Sequence, residues 1–273
     1  MIVSAVPAWI TPPLPVLRVA RTLVTLGDST SVGLGDPAPG GGWRGFPVLL
    51  RDALGASVLV NPSRTGARMA DVRREQLPVA LAAAPDVVVL FVGMNDTLRS
   101  DFDPAAMRSD AAAIVRELHD ARAHVLLVRY HDHTRVFRLP APLRRALGRR
   151  IEALNGVVDG MAGPGVDVLD VGDLPGAYER SAWAVDRLHP SEQGHRMLAA
   201  GFAALLAGAG FAVPRPVGLE CAGGREVTAA HRVAWLVAKG VPWLVHRSRD
   251  LGPVVVQGLV SELVRRPGRA RVR

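Results

Sequence analysis

Apolar and polar positions fall in blocks along the chain, and the blocks alternate between strand-like and helix-like spacing. Leu23–Leu26 is a short apolar run with β-branched residues and reads as a buried strand. Trp43–Leu54 has helical spacing, and Pro47 places the start of that helix close to itself. Ser57–Val60 is a second short strand, and Met69–Ala83 is a helix that Pro78 kinks or breaks. Asp86–Val92, reading DVVVLFV, is apolar on both faces, as an interior parallel strand is. Pro104–Ala121 is a long helix with proline in its first turn, followed by a strand over His124–Tyr130. Pro142–Met161 is helical, Val166–Val171 is a fifth strand, and Ser191 caps a last helix running to Leu206. Five strands alternating with five helices predict an α/β fold, a three-layer α/β/α sandwich around a mostly parallel five-stranded sheet.

The alternation stops near residue 212, which divides the chain into three parts. Residues 1–21 are an apolar, proline-rich lead-in, residues 22–212 the α/β domain, and residues 213–273 a helical, basic appendage. The lead-in is a poor targeting signal, because no basic residue precedes its apolar run and Pro7, Pro12, Pro13 and Pro15 interrupt it. No apolar span is long and clean enough for a transmembrane helix, so a cytoplasmic location is expected. In the appendage Val256, Leu259, Val260, Leu263 and Val264 follow helical spacing, with Arg265, Arg266 and Arg269 close behind. These helices are expected to pack on the main domain or on a second subunit as a homo-oligomer. The competing reading is peripheral contact of residues 226–266 with an anionic membrane.

Composition narrows the partners. Of 273 residues, 49% are hydrophobic, enough for a sizeable core. Cys221 is the only cysteine, which excludes a disulfide within the chain and an all-cysteine zinc site. The net charge is +8, and Lys239 is the only lysine among 33 basic residues. An arginine bias of that kind, beside abundant Ala, Val and Gly, reads as genome composition. The arginines are scattered and aromatics are only 5%, so nucleic acid is not an expected partner.

Ligands of parallel sheets bind beyond the carboxyl ends of the strands, so the residues just after each strand carry the candidate chemistry. After the first strand comes GDST, residues 27–30, which presents Ser29 where a helix begins. Alone, such a cluster caps a helix as readily as it supplies a nucleophile. The balance shifts at DRLHP, residues 186–190. His189 can take the proton of a serine hydroxyl, and Asp186, three residues earlier, can hold the other ring nitrogen. An oxyanion formed on an ester carbonyl then needs donors. The amides of Ser29 and of Gly66 (in NPSRTG), with the side-chain amide of Asn95 (in GMND), can converge as such donors. Arg64 and Arg68 flank Gly66 and read as solvated surface charge, with attraction of an anionic substrate as the alternative. Asp28 and Asp96 are expected to shape their loops by accepting from backbone amides. His131 and His133 are expected to line the pocket rather than hold a metal, because further ligands are missing. His195 reads as structural and Trp43 as core.

GDS near the N-terminus, a lone glycine in the second block, GxND in the third and DxxHP near the domain end stand together in this order. In that order and spacing the chain resembles the SGNH/GDSL hydrolase (esterase/lipase) family from about Thr22 to Gly210. The resemblance implies a flavodoxin-like sandwich, Ser29 as nucleophile, His189 as base and Asp186 as the acid that orients it. It also implies an oxyanion hole from Ser29, Gly66 and Asn95. The GxSxG elbow of standard α/β-hydrolases is absent. The expected function is therefore a serine esterase working through an acyl-enzyme, with no metal and no organic cofactor. Its expected substrate is a small acyl ester, an acetylated metabolite or a lysophospholipid. The alternative is a membrane- or partner-binding protein with a vestigial hydrolase core, against which the intact Ser29, Gly66, Asn95, Asp186 and His189 weigh.

Overall fold

The structure, a computed structural model, describes residues 17–136, 139–224 and 230. The elements follow in the order β1 (Thr22–Gly27), α1 (Ser29–Val32), α2 (Gly45–Leu54), β2 (Val58–Val60), α3 (Met69–Asp71), a π turn (Val72–Gln76) and α4 (Leu77–Ala82). Then come β3 (Val87–Phe91), α5 (Met94–Thr97), α6 (Pro104–Asp120), β4 (His124–Arg129), α7 (Ala141–Asp159), β5 (Val166–Asp170) and α8 (Glu192–Gly208). The strands form one sheet in the order β2-β1-β3-β4-β5, with every pairing parallel. Helices cover both faces, which is the three-layer sandwich that the alternation predicts; α2 packs on α8, and α6 packs on α7.

The strands' composition sets their places. Every residue of β3 is buried, as an interior strand of Val, Leu and Phe must be when both faces are covered. At the sheet edge, β2 is only three residues long, and its Val58 is 43% exposed. Phe46, Phe202, Leu23, Leu26, Leu50 and Leu118 are fully buried between the layers.

The helix expected over Met69–Ala83 is interrupted beside Pro78, which sits in the first turn of α4, directly after a π turn whose Val72 carbonyl accepts from the Leu77 N–H. One local expectation changes. Trp43 is not core: it is 40% exposed. The triplet Gly40–Gly42 carries the chain through a surface turn in which Trp43 pairs with Pro37, and the core position on this side is filled by Phe46 instead.

The described residues beside the expected boundaries are tied to one another and to the sandwich. Arg18 donates to the Gly210 carbonyl at 2.8 Å and accepts from the Ala212 amide at 2.8 Å. Farther on, Arg196 bonds the Gly218 and Ala222 carbonyls, and Glu192 accepts from the Ala222 amide at 2.7 Å. Apart from residue 230, the appendage helices expected within 226–266 lie outside the described residues.

Candidate active site

Ser29 stands at the carboxyl end of β1, where the strand turns into α1. Gly27 makes the turn possible: its φ is +153°, and a Cβ there would collide with the Phe91 carbonyl of β3. Gln76 grips the same peptide from both sides, accepting from the Gly27 amide at 2.8 Å and donating to its carbonyl at 2.9 Å. Asp28 caps α1 by accepting from the Thr30 N–H at 3.0 Å. Ser29 is thereby the first residue of α1, and it is 8% exposed.

The His189 loop approaches from the far end of the chain. The Ala184 amide donates to the His189 carbonyl and the Ser191 amide to the Ala182 carbonyl, each at 2.9 Å. Gly194 lets the first turn of α8 press against Ala182; a Cβ would strike that carbonyl. Within the loop Asp186 accepts from the Leu188 and His189 amides at 2.9 and 3.1 Å. Its other oxygen lies 2.6 Å from Nδ1 of His189. Burial pushes the Asp186 pKa up, but the bond from His189 and the two amides outweigh it and hold the carboxyl below its usual range. An ionised carboxylate only accepts, so Nδ1 carries the proton and Nε2 presents its lone pair. That lone pair is 2.8 Å from Oγ of Ser29, 160 residues away in sequence.

The second and third motif blocks meet at the same place. Gly66 adopts φ +81° in the turn closed by the Ala67 amide on the Arg64 carbonyl. Asn95, on α5, donates from Nδ2 to Asp28 and to the Ala67 carbonyl, both at 3.2 Å, and so links all the first three blocks. Burial is the largest influence on Asp28 and raises its pKa to about 6, against the opposing pull of Thr30, His189 and Asn95. Asp96 accepts from the Met69 amide at 3.2 Å and from Arg68 at 3.3 Å, the loop-shaping role expected of it. Arg68 also pairs with Asp101 at 3.0 Å, and Arg64 with Glu75 at 2.9 Å. Both arginines are committed to carboxylates, which weakens the alternative that they attract an anionic substrate.

His131 and His133 are 5% and 3% exposed, and both line a cavity of about 50 Å³ beneath these loops. Asp28 and Thr30 on one side, and Leu188 and Pro190 on another, bring its wall against the neighbours of Ser29 and His189. Sequence reasoning did not single out Tyr130 or Trp183, which share that wall. Tyr130 stands immediately after a strand, the one cue available; nothing in the spacing marks Trp183. No group of three or more metal-ligating side chains occurs among the described residues. His195 is wholly buried away from the cavity wall, accepting from the Phe46 amide at 3.2 Å and bonding the Leu34 carbonyl at 2.9 Å. Burial lowers its pKa to about 4, so it is the neutral structural histidine expected.

Solved structures share this architecture. A lipase/acylhydrolase from Enterococcus faecalis is 22% identical, with a TM-score of 0.54 over 74% of this chain and 100% of its own. An esterase from Pseudoalteromonas sp. is 19% identical, with a TM-score of 0.51 over 69% of this chain and 98% of its own. An acetylxylan esterase from Geobacillus stearothermophilus is 18% identical, with a TM-score of 0.52 over 68% of this chain and 94% of its own. Identities this low speak to the fold alone. Among curated proteins none matches the sequence. No helix among the described residues is long and apolar enough to cross a membrane. The sequence itself matches the GDSL-like Lipase/Acylhydrolase family over residues 25–197, from just before Ser29 to beyond His189, and that span is well over half of the chain. The chain belongs to the GDSL-like lipase/acylhydrolase family and is a carboxylic ester hydrolase.

Proposed function

We propose that the protein is a serine esterase that cleaves short acyl esters through a covalent acyl-enzyme on Ser29. Oγ of Ser29 attacks the ester carbonyl carbon while its proton passes to Nε2 of His189. Asp186 holds the ring so that Nε2 faces the serine, and its negative charge stabilises the imidazolium. The carbonyl oxygen, now an oxyanion, is received by the N–H groups of Ser29 and Gly66 and by the Asn95 amide. Collapse of the intermediate breaks the carbon–alkoxy bond, and the departing oxygen takes the proton from His189. Water then repeats the sequence on the acyl-enzyme, releasing the acid and restoring Ser29.

The observation that carries this reading is the hydrogen-bonded run from Oγ of Ser29 through His189 to Asp186, at 2.8 and 2.6 Å. The cavity of about 50 Å³ supports a short acyl group over the long chain of a lysophospholipid. The test is hydrolysis of p-nitrophenyl acetate by the full-length protein. Wild type should turn it over, and Ser29→Ala should lose about 10³-fold or more in kcat/KM. Wild type and variant equally inert would instead favour a protein whose hydrolase core is vestigial.

A further inference from the structure

The cavity beside Ser29 is apolar on most of its wall, with Leu174, Ala177, Leu188 and Met197 among its lining residues. Into it also faces a pair of imidazoles that the proposed mechanism does not use. Nε2 of His131 lies 2.7 Å from Nδ1 of His133, so one proton is shared between two neutral rings. Trp183 packs at 4.7 Å from the His131 ring and Tyr178 at 5.9 Å, which fixes its orientation. Burial, and the neighbouring ring, keep His131 uncharged near neutral pH, with its pKa lowered to about 3. The remaining nitrogen of His131, Nδ1, is buried and has no hydrogen-bond partner among the described residues.

A buried polar atom without a partner is disfavoured, and an alkyl chain entering this cavity would leave it so. We propose that the cavity is an acyl subsite selective for a short acyl chain that carries a hydroxyl group, with Nδ1 of His131 as its hydrogen-bond partner. This rests on the esterase reading above. A volume of about 50 Å³ beside Ser29 suits the acyl half, which stays attached while the alcohol leaves; a water needs roughly 10–15 Å³ of such space, so three or four carbons fit. A hydroxyl serves either tautomer of the pair, donating to a bare nitrogen or accepting from an N–H. An anionic acyl group is disfavoured, since neutral imidazoles supply no countercharge and the Asp28 carboxyl shares the wall.

The experiment compares kcat/KM for p-nitrophenyl 3-hydroxybutyrate and p-nitrophenyl butyrate, which differ by one hydroxyl. Wild type should prefer the hydroxy ester by about tenfold, the worth of one buried hydrogen bond. His131→Gln keeps a polar atom facing His133 but none at the Nδ1 position, and should bring the ratio to near one. His131→Asn places an amide at the Nδ1 position and should retain the preference. Thermal unfolding of each variant confirms that a folded protein is compared, and the ratio within each variant does not depend on its total activity. Equal rates on both esters in wild type, or a ratio unchanged in His131→Gln, would overturn the subsite while leaving the esterase intact. No hydrolysis of any ester, p-nitrophenyl acetate included, would overturn both.

Discussion

Asn95, the side-chain donor of the proposed oxyanion hole, has its amide already bound, to Asp28 and to the Ala67 carbonyl. An oxyanion received there, as the proposed mechanism requires, must compete with those two bonds for a hydrogen. Asn95→Ala should lower kcat on p-nitrophenyl acetate by roughly 10²–10³, with a smaller effect on KM; a loss under about threefold would remove it from the oxyanion hole. Asp28 has a second consequence. Its folded pKa, about 6, lies above the ordinary value of 3.8, so the folded state holds an extra proton between them. Stability from this carboxyl is present at low pH and is lost as pH rises through 6. At about 1.36 kcal/mol per pKa unit, that is up to roughly 3 kcal/mol. Urea unfolding of wild type and Asp28→Asn at pH 7 and pH 4 should therefore show the difference moving toward wild type on acidification. A difference that does not change with pH would contradict a protonated Asp28.

At the scale of elements, the site depends on how α2 and α8 are joined. His195 on α8 holds the second residue of α2 through the Phe46 amide and the loop after α1 through the Leu34 carbonyl. His195→Leu leaves both buried groups unpaired and should cost roughly 2–5 kcal/mol in chemical denaturation; a change under about 0.5 kcal/mol would show that the bonds are dispensable. Most of these elements were legible in the sequence because their periodicity is strong: β3 is a continuous apolar run, and Pro104 and Ser191 mark helix starts. Pro78 showed that the helix must break but not how, because a π turn depends on which carbonyl the Leu77 amide finds. Trp43 was misplaced because bulk suggests core, whereas the glycine turn before it decides its direction. The candidate site was legible block by block, since three blocks stand directly after strands and DRLHP stands just before the last helix. Of the cavity only His131 and His133 were legible, because Trp183, Ala177 and Met197 share no spacing with them; only folding brings them together.

For the whole molecule, the buried imidazoles set the response to acid. His131, His133 and His195 are lowered to about 3, 4 and 4, with burial the largest cause in each. The unfolded chain protonates them first, so stability falls as pH drops from about 6.5 toward 4. Each adds a slope of about 1.4 kcal/mol per pH unit, and Asp28 offsets about one of the three. Urea midpoints at pH 7, 6 and 5 should decline steadily, and a flat series would contradict three neutral buried histidines. The same global closure brings Ser29 to His189 across most of the domain, and the proposed chemistry rests on that meeting. Its most direct test is peptide-mapped mass spectrometry after treatment with a p-nitrophenyl alkylphosphonate, which phosphonylates an activated serine and releases nitrophenolate. One adduct is expected, on Ser29, formed by wild type and slowed at least about 10³-fold in His189→Ala. An adduct on another residue, or equal labelling of Ser29 without His189, would contradict it.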